Sequence, residues 1–282
     1  MNGVTLGDAL REAARRIGAV DARVLLCHAV GRESAYVAAH PEIELTPADR
    51  NRYAELVERR ARGEPVAYLT GRREFYGRLF LVSPATLIPR PETELLVDLA
   101  LERLPRGEAA RVLDLGTGTG CVAISIASER VRLHVLAVDR SPEALTLARR
   151  NALERGVGNV AFLQSDWYSA LRPGEQFDVI VSNPPYVAAG DPHLEDGDLR
   201  FEPRLALEGG RDGLEAIRTI IAGARAHLAV DGWIVVEHGF DQAERVRRLL
   251  IEYGYEAVFS AADLAGIERA SGGRLTSAIT VR

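Results

Sequence analysis

The feature that most constrains the fold is a regular alternation of strand-like and helical patterns that begins near residue 109. Runs rich in Val, Ile, Leu and Ala predict five strands, at residues 111–115, 135–139, 160–164, 177–182 and 233–237. Helical patterns lie between them, and strands that alternate with helices predict a mostly parallel sheet with helices on both faces. In the tail, strand-like runs near 256–259 and 277–281 predict a C-terminal hairpin at an edge of the sheet.

The chain before this region has a different character. Residues 1–64 carry only helical patterns and predict a small helical bundle. Residues 65–91 predict a β-hairpin with its turn near Gly77, followed by a stiff connector in which prolines flank Arg90. We therefore expect a helical domain at 1–64, a hairpin and connector at 65–91, and an α/β domain at 92–282. Physical reasoning alone leaves the bundle open as a dimerisation arm, a stability domain or a partner-recognition domain.

Composition excludes several classes of protein. With 47% hydrophobic and 27% charged residues, the 282-residue chain is typical of a globular protein. It has no run of about 18 apolar residues and no signal-peptide pattern, so we expect no membrane partner and a cytoplasmic location. Two cysteines are too few for a disulfide framework or a zinc site, and we expect no metal. A net charge of −5 argues against an enzyme dedicated to nucleic acid.

The motif Asn183-Pro184-Pro185-Tyr186 directly follows the strand predicted at 177–182. The prolines end the strand and stiffen the corner after it, where open α/β sheets bind their ligands. The side-chain carbonyl of Asn183 and the backbone carbonyl of Pro184 are two acceptors that can hold both hydrogens of a planar NH2 group, while the Tyr186 ring lies against its face. The motif thus predicts a site for a weakly nucleophilic exocyclic or carboxamide nitrogen. The alternative is a strand-ending turn with a buried tyrosine.

A glycine-rich loop after the first strand predicts a nucleotide-like cofactor site. Its glycines, at 116, 118 and 120, let backbone N–H groups and a helix N-terminus approach a ligand closely. Asp139 ends the next strand, where an acid can accept hydrogen bonds from ribose hydroxyls. A dinucleotide fingerprint would need a glycine at 121, where the chain has Cys121.

The Gly-X-Gly-X-Gly pattern, with Asp114 two residues upstream, resembles the nucleoside loop of class I S-adenosylmethionine-dependent methyltransferases. This resemblance implies a seven-stranded, mostly parallel sheet and S-adenosylmethionine as cofactor. It implies that Asp139 holds the ribose and that Asp166 and Trp167 border the adenine. The cofactor-binding residues expected from it are Gly116, Thr117, Gly118, Thr119, Gly120, Asp139, Asp166, Trp167 and Asn183.

An Asn-Pro-Pro-Tyr corner occurs in adenine-N6 DNA methyltransferases and in protein glutamine-N5 methyltransferases. Three further stretches resemble the release factor glutamine methyltransferase (PrmC/HemK) family, at residues 63–77, 88–94 and 191–203. The first contains Gly-Glu-Pro-Val-Ala-Tyr-Leu-Thr-Gly and Glu-Phe-Tyr-Gly, and the second is Ile-Pro-Arg-Pro-Glu-Thr-Glu. The resemblance implies a protein-(glutamine-N5) methyltransferase acting on the glutamine of the Gly-Gly-Gln loop in class 1 peptide chain release factors.

The same resemblance assigns roles to particular residues. The catalytic residues it implies are Asn183, Pro184 and Tyr186, and the substrate-binding residues are these three with Pro185 and Arg90. Residues 1–64 would recognise the release factor. The alternatives are a ribosomal protein glutamine methyltransferase, an adenine-N6 DNA methyltransferase or a catalytically silent cofactor-binding module. Residues 191–202 hold five acids against Arg200. If this loop borders the acceptor pocket, it would repel a phosphate backbone and suit a basic protein loop, so no direct nucleic-acid partner is expected.

Overall fold

A computed structural model describes residues 3–195 and 197–276. Within that part, the chain divides into two compact units. The helical unit comprises residues 3–72 together with Glu195 and 197–201. The sheet unit comprises residues 73–194 and 202–276.

The helical unit is built from short amphipathic helices. They are α1 (Leu6–Ile17), α2 (Ala19–Val30), α3 (Ser34–Ala39), α4 (Pro47–Ala61) and α5 (Val66–Thr70). The Thr5 and Thr46 hydroxyls cap α1 and α4 by accepting backbone N–H groups at 3.2 and 3.1 Å. Leu69 of α5 is buried in the core of this unit, which is why the unit continues past residue 64. Arg60 of α4 also pairs with Asp198 at 2.7 Å.

The predicted hairpin is present at the start of the sheet unit. Strands β1 (Arg72–Phe75) and β2 (Arg78–Leu81) form a two-stranded sheet. Tyr76 and Gly77 connect them with positive φ angles of 51° and 69°, which a two-residue type I′ turn requires at both positions. A 3₁₀ turn at Pro91–Thr93 then leads into α6 (Glu94–Arg103).

The seven-stranded, mostly parallel sheet predicted from the sequence is confirmed. Its strands are β3 (Ala110–Leu115), β4 (Leu133–Asp139), β5 (Val160–Gln164), β6 (Phe177–Ser182), β7 (Leu228–Glu237), β8 (Glu256–Ala262) and β9 (Glu268–Arg274). Its helices are α6, α7 (Cys121–Glu129), α8 (Pro142–Arg155), α9 (Glu215–Ala224) and α10 (Ala243–Glu252). Successive strand residues face opposite sides, so Val112 packs with α6 and α7 while Leu113 packs with α9 and α10.

The order of the strands creates a crevice at one point of the sheet. Across the sheet the order is β5-β4-β3-β6-β7-β9-β8, and only β9 runs antiparallel to its neighbours. The chain therefore adds strands on one side of β3 and then reverses to β6 on the other side. Open α/β sheets bind ligands at such a switch point, beyond the carboxyl ends of the strands. Leu115 and Ser182 are paired there, so Gly116 and Asn183 leave the sheet side by side.

The C-terminal hairpin is present, and its second strand is one that was not predicted from the sequence. That strand is Glu268–Arg274, inserted between β7 and β8. This strand was difficult to predict from the sequence, because its glycines weaken the strand pattern. At Gly272 a side chain would clash, since a Cβ would lie 2.5 Å from the Ile234 carbonyl oxygen. The run at 277–281, which was predicted as the strand, lies outside the described residues.

Candidate functional site

The carboxyl ends of β3 and β6 open into a cavity of about 620 Å³, a size suited to a small-molecule ligand. Its walls come from the loops after β3, β4, β5 and β6, from the connector before α6, and from the segment before α9. The predicted residues that line it are Arg90, Gly116, Thr117, Gly118, Thr119, Asp139, Asp166, Trp167, Asn183 and Pro185. Gly120, Pro184 and Tyr186 do not line it.

Asp139 anchors the glycine loop to the end of β4. Its Oδ2 accepts the N–H of Gly118 at 2.8 Å, and its Oδ1 accepts the N–H of Ser141 at 2.9 Å. Burial is the main cause that raises the pKa of Asp139, and these backbone N–H groups oppose the rise. The carboxylate thus joins two of the cavity's loops, and its oxygens have lone pairs left for a ligand hydroxyl.

Gly120 serves the packing beneath the loop. It caps the N-terminus of α7 with a φ of 80°. A Cβ here would lie 2.9 Å from Ile124 Cδ1 and 3.1 Å from the Ala148 Cβ. Ile124 belongs to α7 and Ala148 to α8, so only glycine fits at this position between the two helices. It lets α7 begin directly behind the cavity.

Trp167 forms a wall over the glycine loop. A Cβ on Gly116 would meet the indole ring at 3.5 Å, which places the ring in contact distance of the loop backbone. The backbone of Trp167 has a φ of 50°, an unusual value for a bulky residue. Such strained positions cluster at ligand sites, where the surrounding structure holds them. Asp166 lines the cavity beside it.

Asp114 is a cavity residue to which the sequence analysis gave no role. It lies in β3, almost completely buried, and accepts a hydrogen bond of 2.6 Å from the Thr117 hydroxyl. Burial raises the pKa of Asp114 to about 7. Its place two residues before the first loop glycine was the signal that could have identified it.

At the corner after β6, the Asn183 side chain is held from one side. Its Nδ2 donates to the Thr93 hydroxyl at 3.0 Å, which leaves Oδ1 to accept from another group. Ser182 fixes the strand end, since its hydroxyl donates to the Leu115 carbonyl at 2.7 Å. Thr93 is buried at the end of the 3₁₀ turn and lines the cavity. From the sequence, Thr93 was part of the stretch 88–94 but was not assigned to the site.

Tyr186 points away from the cavity. Its ring packs against the core formed with α9 and α10, and its hydroxyl donates to Glu237 Oε1 at 3.3 Å. Its backbone carbonyl accepts from Gln242 Nε2 at 3.0 Å. Burial raises the pKa of Tyr186, and the neighbouring Glu237 raises it further. The proposed contact of this ring with an amide plane stays a prediction.

A wall of the cavity that the sequence analysis missed is the segment 203–210. It pairs with the chain after the corner, since Val187 N–H donates to the Leu207 carbonyl at 2.9 Å and Gly209 N–H donates to the Val187 carbonyl at 2.8 Å. A Cβ at Gly209 would lie 2.5 Å from the Pro185 carbonyl oxygen, so only glycine allows this approach. The adjacent glycines 209 and 210 were the available signal.

The connector before α6 is held by a buried acid. The guanidinium of Arg90 pairs with Glu202, and a second carboxylate oxygen of Glu202 accepts the Ile88 N–H at 2.9 Å. The Glu202 side chain is 0% exposed, whereas that of Arg90 is 31% exposed. Arg90 therefore shapes the cavity wall in a fixed orientation.

The expected role of the acidic segment 191–202 is not supported. None of its described acids lines the cavity. Glu202 is buried against Arg90, and Asp191 contacts His193 at 2.8 Å. Asp196 lies outside the described residues. The described acids of this segment therefore give the cavity no acidic border.

Neither a metal centre nor a membrane span is found in the described part of the chain. Among residues 3–195 and 197–276, no group of three or more His, Cys, Asp or Glu side chains is arranged to hold a metal ion. No helix in those ranges is long and apolar enough to cross a bilayer.

Comparison with known proteins places the chain among methyltransferases. The family models "PrmC N-terminal domain" and "Methyltransferase small domain" match residues 6–71 and 92–195. A "Release factor glutamine methyltransferase" of Burkholderia pseudomallei is 55% identical, covering 92% of this chain and 93% of the relative. One of Escherichia coli is 47% identical, covering 94% and 97%.

A solved structure supports the fold alone. The structure of a methyltransferase from Pyrococcus furiosus superposes with a TM-score of 0.54 at 21% identity, and the match covers 80% of this chain and 99% of that one.

Proposed function

Because the chain belongs to the family of release factor glutamine methyltransferases, we propose that it methylates the side-chain amide nitrogen of a glutamine. The acceptor is the glutamine of the Gly-Gly-Gln loop in class 1 peptide chain release factors, and the enzyme works in the cytoplasm. One observation carries the proposal: Asn183 leaves the sheet beside the glycine loop, with its amide held by Thr93 and its oxygen left to accept.

The cavity residues fit S-adenosylmethionine, which supplies an electrophilic methyl group when bound. The cavity has a volume of about 620 Å³, which accommodates a nucleoside with an amino-acid chain. The Asp139 carboxylate is positioned to accept ribose hydroxyls, and the Trp167 indole gives an apolar wall for the base. Asp166 is the acceptor for the adenine amino group.

The chain's own residues position the acceptor amide. The Asn183 oxygen at the cavity wall holds one hydrogen of the glutamine NH2 group. The Pro184 carbonyl, although Pro184 does not line the cavity, is proposed to hold the other hydrogen, so that the nitrogen faces the methyl group. S-adenosylmethionine, when bound, would supply the methyl group that the glutamine nitrogen takes in exchange for one proton. Positioning and exclusion of water provide most of the acceleration, because the side chains supply no nucleophile of their own.

A labelled-methyl assay with a panel of acceptors tests this proposal. The enzyme is incubated with intact release factor, ribosomal protein and duplex DNA in parallel. We expect label on the release factor and a mass increase of one CH2 group on the peptide that contains the Gly-Gly-Gln loop. Label on the ribosomal protein or the DNA alone would overturn the assignment in favour of the corresponding alternative.

The helical unit is proposed to dock the release factor. The match of residues 6–71 to the PrmC N-terminal domain supports this role. Two exposed valines on α2 offer an apolar contact, since Val20 is 76% exposed and Val24 is 42% exposed.

A further inference from the structure

The polar side chains of Thr93, Glu237 and Tyr186 lie near the corner that carries Asn183. Thr93 and Glu237 are each 2% exposed, and the Tyr186 hydroxyl donates to Glu237 Oε1 at 3.3 Å. The Thr93 hydroxyl accepts the Asn183 Nδ2 at 3.0 Å. Thr93 is also near enough to the Glu237 carboxyl to lower its pKa. Glu237 Oε2 is buried without a hydrogen-bond partner. Glu237 ends β7, so this cluster lies at the carboxyl edge of the sheet, beside the corner.

The chemistry of this cluster sets the direction of its hydrogen bonds. A hydroxyl carries one hydrogen, so a Thr93 hydroxyl that donates to Glu237 has only lone pairs to offer Asn183. Glu237 supplies an acceptor oxygen in both of its protonation states. The amide of Asn183 must then turn its NH2 group toward Thr93 and its oxygen away from it.

The surroundings of Glu237 make its charged form costly to bury. Burial is the main cause that raises the pKa of Glu237 to about 7, and Glu92 raises it further. Thr93, Tyr186 and Arg269 act in the opposite direction. An apolar side chain of similar volume would cost less free energy to bury than this carboxyl, so stability alone does not explain a glutamate at this position.

We propose that the Thr93 hydroxyl donates to the unpartnered Oε2 of Glu237, and that the two residues are thereby positioning residues for methyl transfer, which hold the Asn183 amide so that its oxygen faces the acceptor NH2 group. The inference deepens the proposed function and rests on it. A flipped Asn183 would point its own NH2 group at the NH2 group of the glutamine. Two donors cannot bond each other, so the flipped orientation would lose the contact that presents the nitrogen.

Thr93→Val and Thr93→Ser separate the hydroxyl from the space it fills. Valine keeps the branched shape and removes the hydroxyl, whereas serine keeps the hydroxyl. We expect Thr93→Val to lower kcat on release factor by roughly 10- to 100-fold, with KM for the release factor within about threefold. Thr93→Ser should stay within about threefold of wild type. The matched control is Thr146→Val, which makes the same change on an exposed threonine of α8 whose hydroxyl bonds only its own helix.

Glu237→Gln tests whether the two residues act as one unit. Its amide can donate to Thr93 and so reverse the hydrogen-bond direction, and we expect a similar loss of kcat. The double variant Thr93→Val/Glu237→Gln should be no worse than the slower single variant. Losses that simply multiply, or equal rates for Thr93→Val and Thr93→Ser, would overturn the positioning role.

A readout without turnover keeps this inference separate from the proposed function. In the full-length protein, hydrogen exchange of the Asn183 side-chain NH2 group is followed by NMR. We expect exchange roughly tenfold faster in Thr93→Val than in wild type or Thr93→Ser, because the bond to Thr93 is lost. Equal exchange rates would overturn the inference even if the release factor is methylated. Slow exchange in wild type with no methylation of release factor would instead overturn the acceptor assignment.

Discussion

At the scale of single residues, the site depends on polar atoms that are each held by one specific partner. Asp139 joins two backbone N–H groups, and Asn183 is held by Thr93. Buried polar groups lose more when a partner is removed than a typical hydrogen bond contributes. Single substitutions here should therefore separate cofactor binding from catalysis.

Asn183→Ala is expected to abolish methylation of the release factor, because the acceptor amide loses the oxygen that holds it. Affinity for S-adenosylmethionine should stay within about threefold of wild type, since the glycine loop and Asp139 are untouched. Radiolabel transfer and calorimetric titration measure the two quantities. Full turnover in this variant would remove Asn183 from its assigned role.

Asp139→Ala is expected to weaken binding of S-adenosylmethionine by about tenfold or more. The variant loses the acceptor for ribose hydroxyls and also the bonds that hold Gly118 and Ser141. Calorimetric titration measures the affinity, and Asp139→Asn, which keeps one acceptor oxygen, is the matched variant with a smaller loss. An unchanged dissociation constant in Asp139→Ala would place the ribose elsewhere.

The buried Glu237 carboxyl predicts a pH-dependent difference in stability. Its pKa rises from the ordinary 4.5 to about 7 on folding, so the folded state binds the proton more tightly than the unfolded state. The stability that Glu237 contributes is present below pH 4.5 and is lost as the pH rises through about 7.

Glu237→Gln removes this titration. The free energy of unfolding of wild type, measured relative to Glu237→Gln by urea titration, should fall by roughly 3 kcal/mol between pH 4.5 and 8. Asp114, whose pKa is also raised, is present in both proteins and cancels in the difference. A difference that does not change with pH would mean that Glu237 keeps an ordinary pKa.

At the scale of elements, the cavity walls include irregular segments that are held by specific bonds to neighbouring loops. The connector before α6 is held by Glu202 through Arg90 and Ile88, and the segment 203–210 is held by backbone bonds to Val187. The conformation of each wall therefore depends on these bonds. Weakening one fastening should therefore loosen a whole wall.

Glu202→Gln is expected to lower the free energy of unfolding by about 1–3 kcal/mol, because the buried carboxylate bonds both a guanidinium and a backbone N–H. It should also raise KM for S-adenosylmethionine, since Arg90 lines the cavity. Urea unfolding and steady-state kinetics measure the two effects. The control is Glu244→Gln, which removes an ion pair between Glu244 and Arg248. These side chains are 68% and 69% exposed, so the substitution should change the free energy of unfolding by less than about 1 kcal/mol. Equal effects of the two substitutions would contradict the fastening role.

At the scale of the whole molecule, two compact units divide the work that we propose. The sheet unit holds the cavity, and we propose that the helical unit recognises the release factor. This division predicts that a short acceptor peptide and an intact release factor respond differently to changes in the helical unit.

The double variant Val20→Asp/Val24→Asp tests docking. The two valines are four residues apart on α2 and so share one face. We expect KM for intact release factor to rise by roughly tenfold or more, while the rate with a Gly-Gly-Gln peptide is unchanged. Val131→Asp, at a valine of the sheet unit that is 85% exposed, should leave both rates unchanged. An unchanged KM for the intact protein would favour a stability role for the helical unit.

The sequence by itself determined the fold class, the position of the hairpin turn and ten of the residues that line the cavity. These features are local, because strand–helix alternation, turn glycines and strand-end motifs each lie within a few consecutive residues. Gly116 and Asn183 could be placed at strand ends from the sequence, and the strand order then brought them together.

Only the tertiary structure decided which distant residues complete the site. Thr93 and Glu237 are separated from Asn183 by 90 and 54 positions, and no local pattern joins them. It also decided that the Tyr186 ring packs against the core, that β9 is a glycine-containing strand, and that no described acid of 191–202 lines the cavity. The physical reason is that hydrogen-bond partners and close backbone approaches depend on the order of the strands, whereas sequence patterns report only on neighbours along the chain.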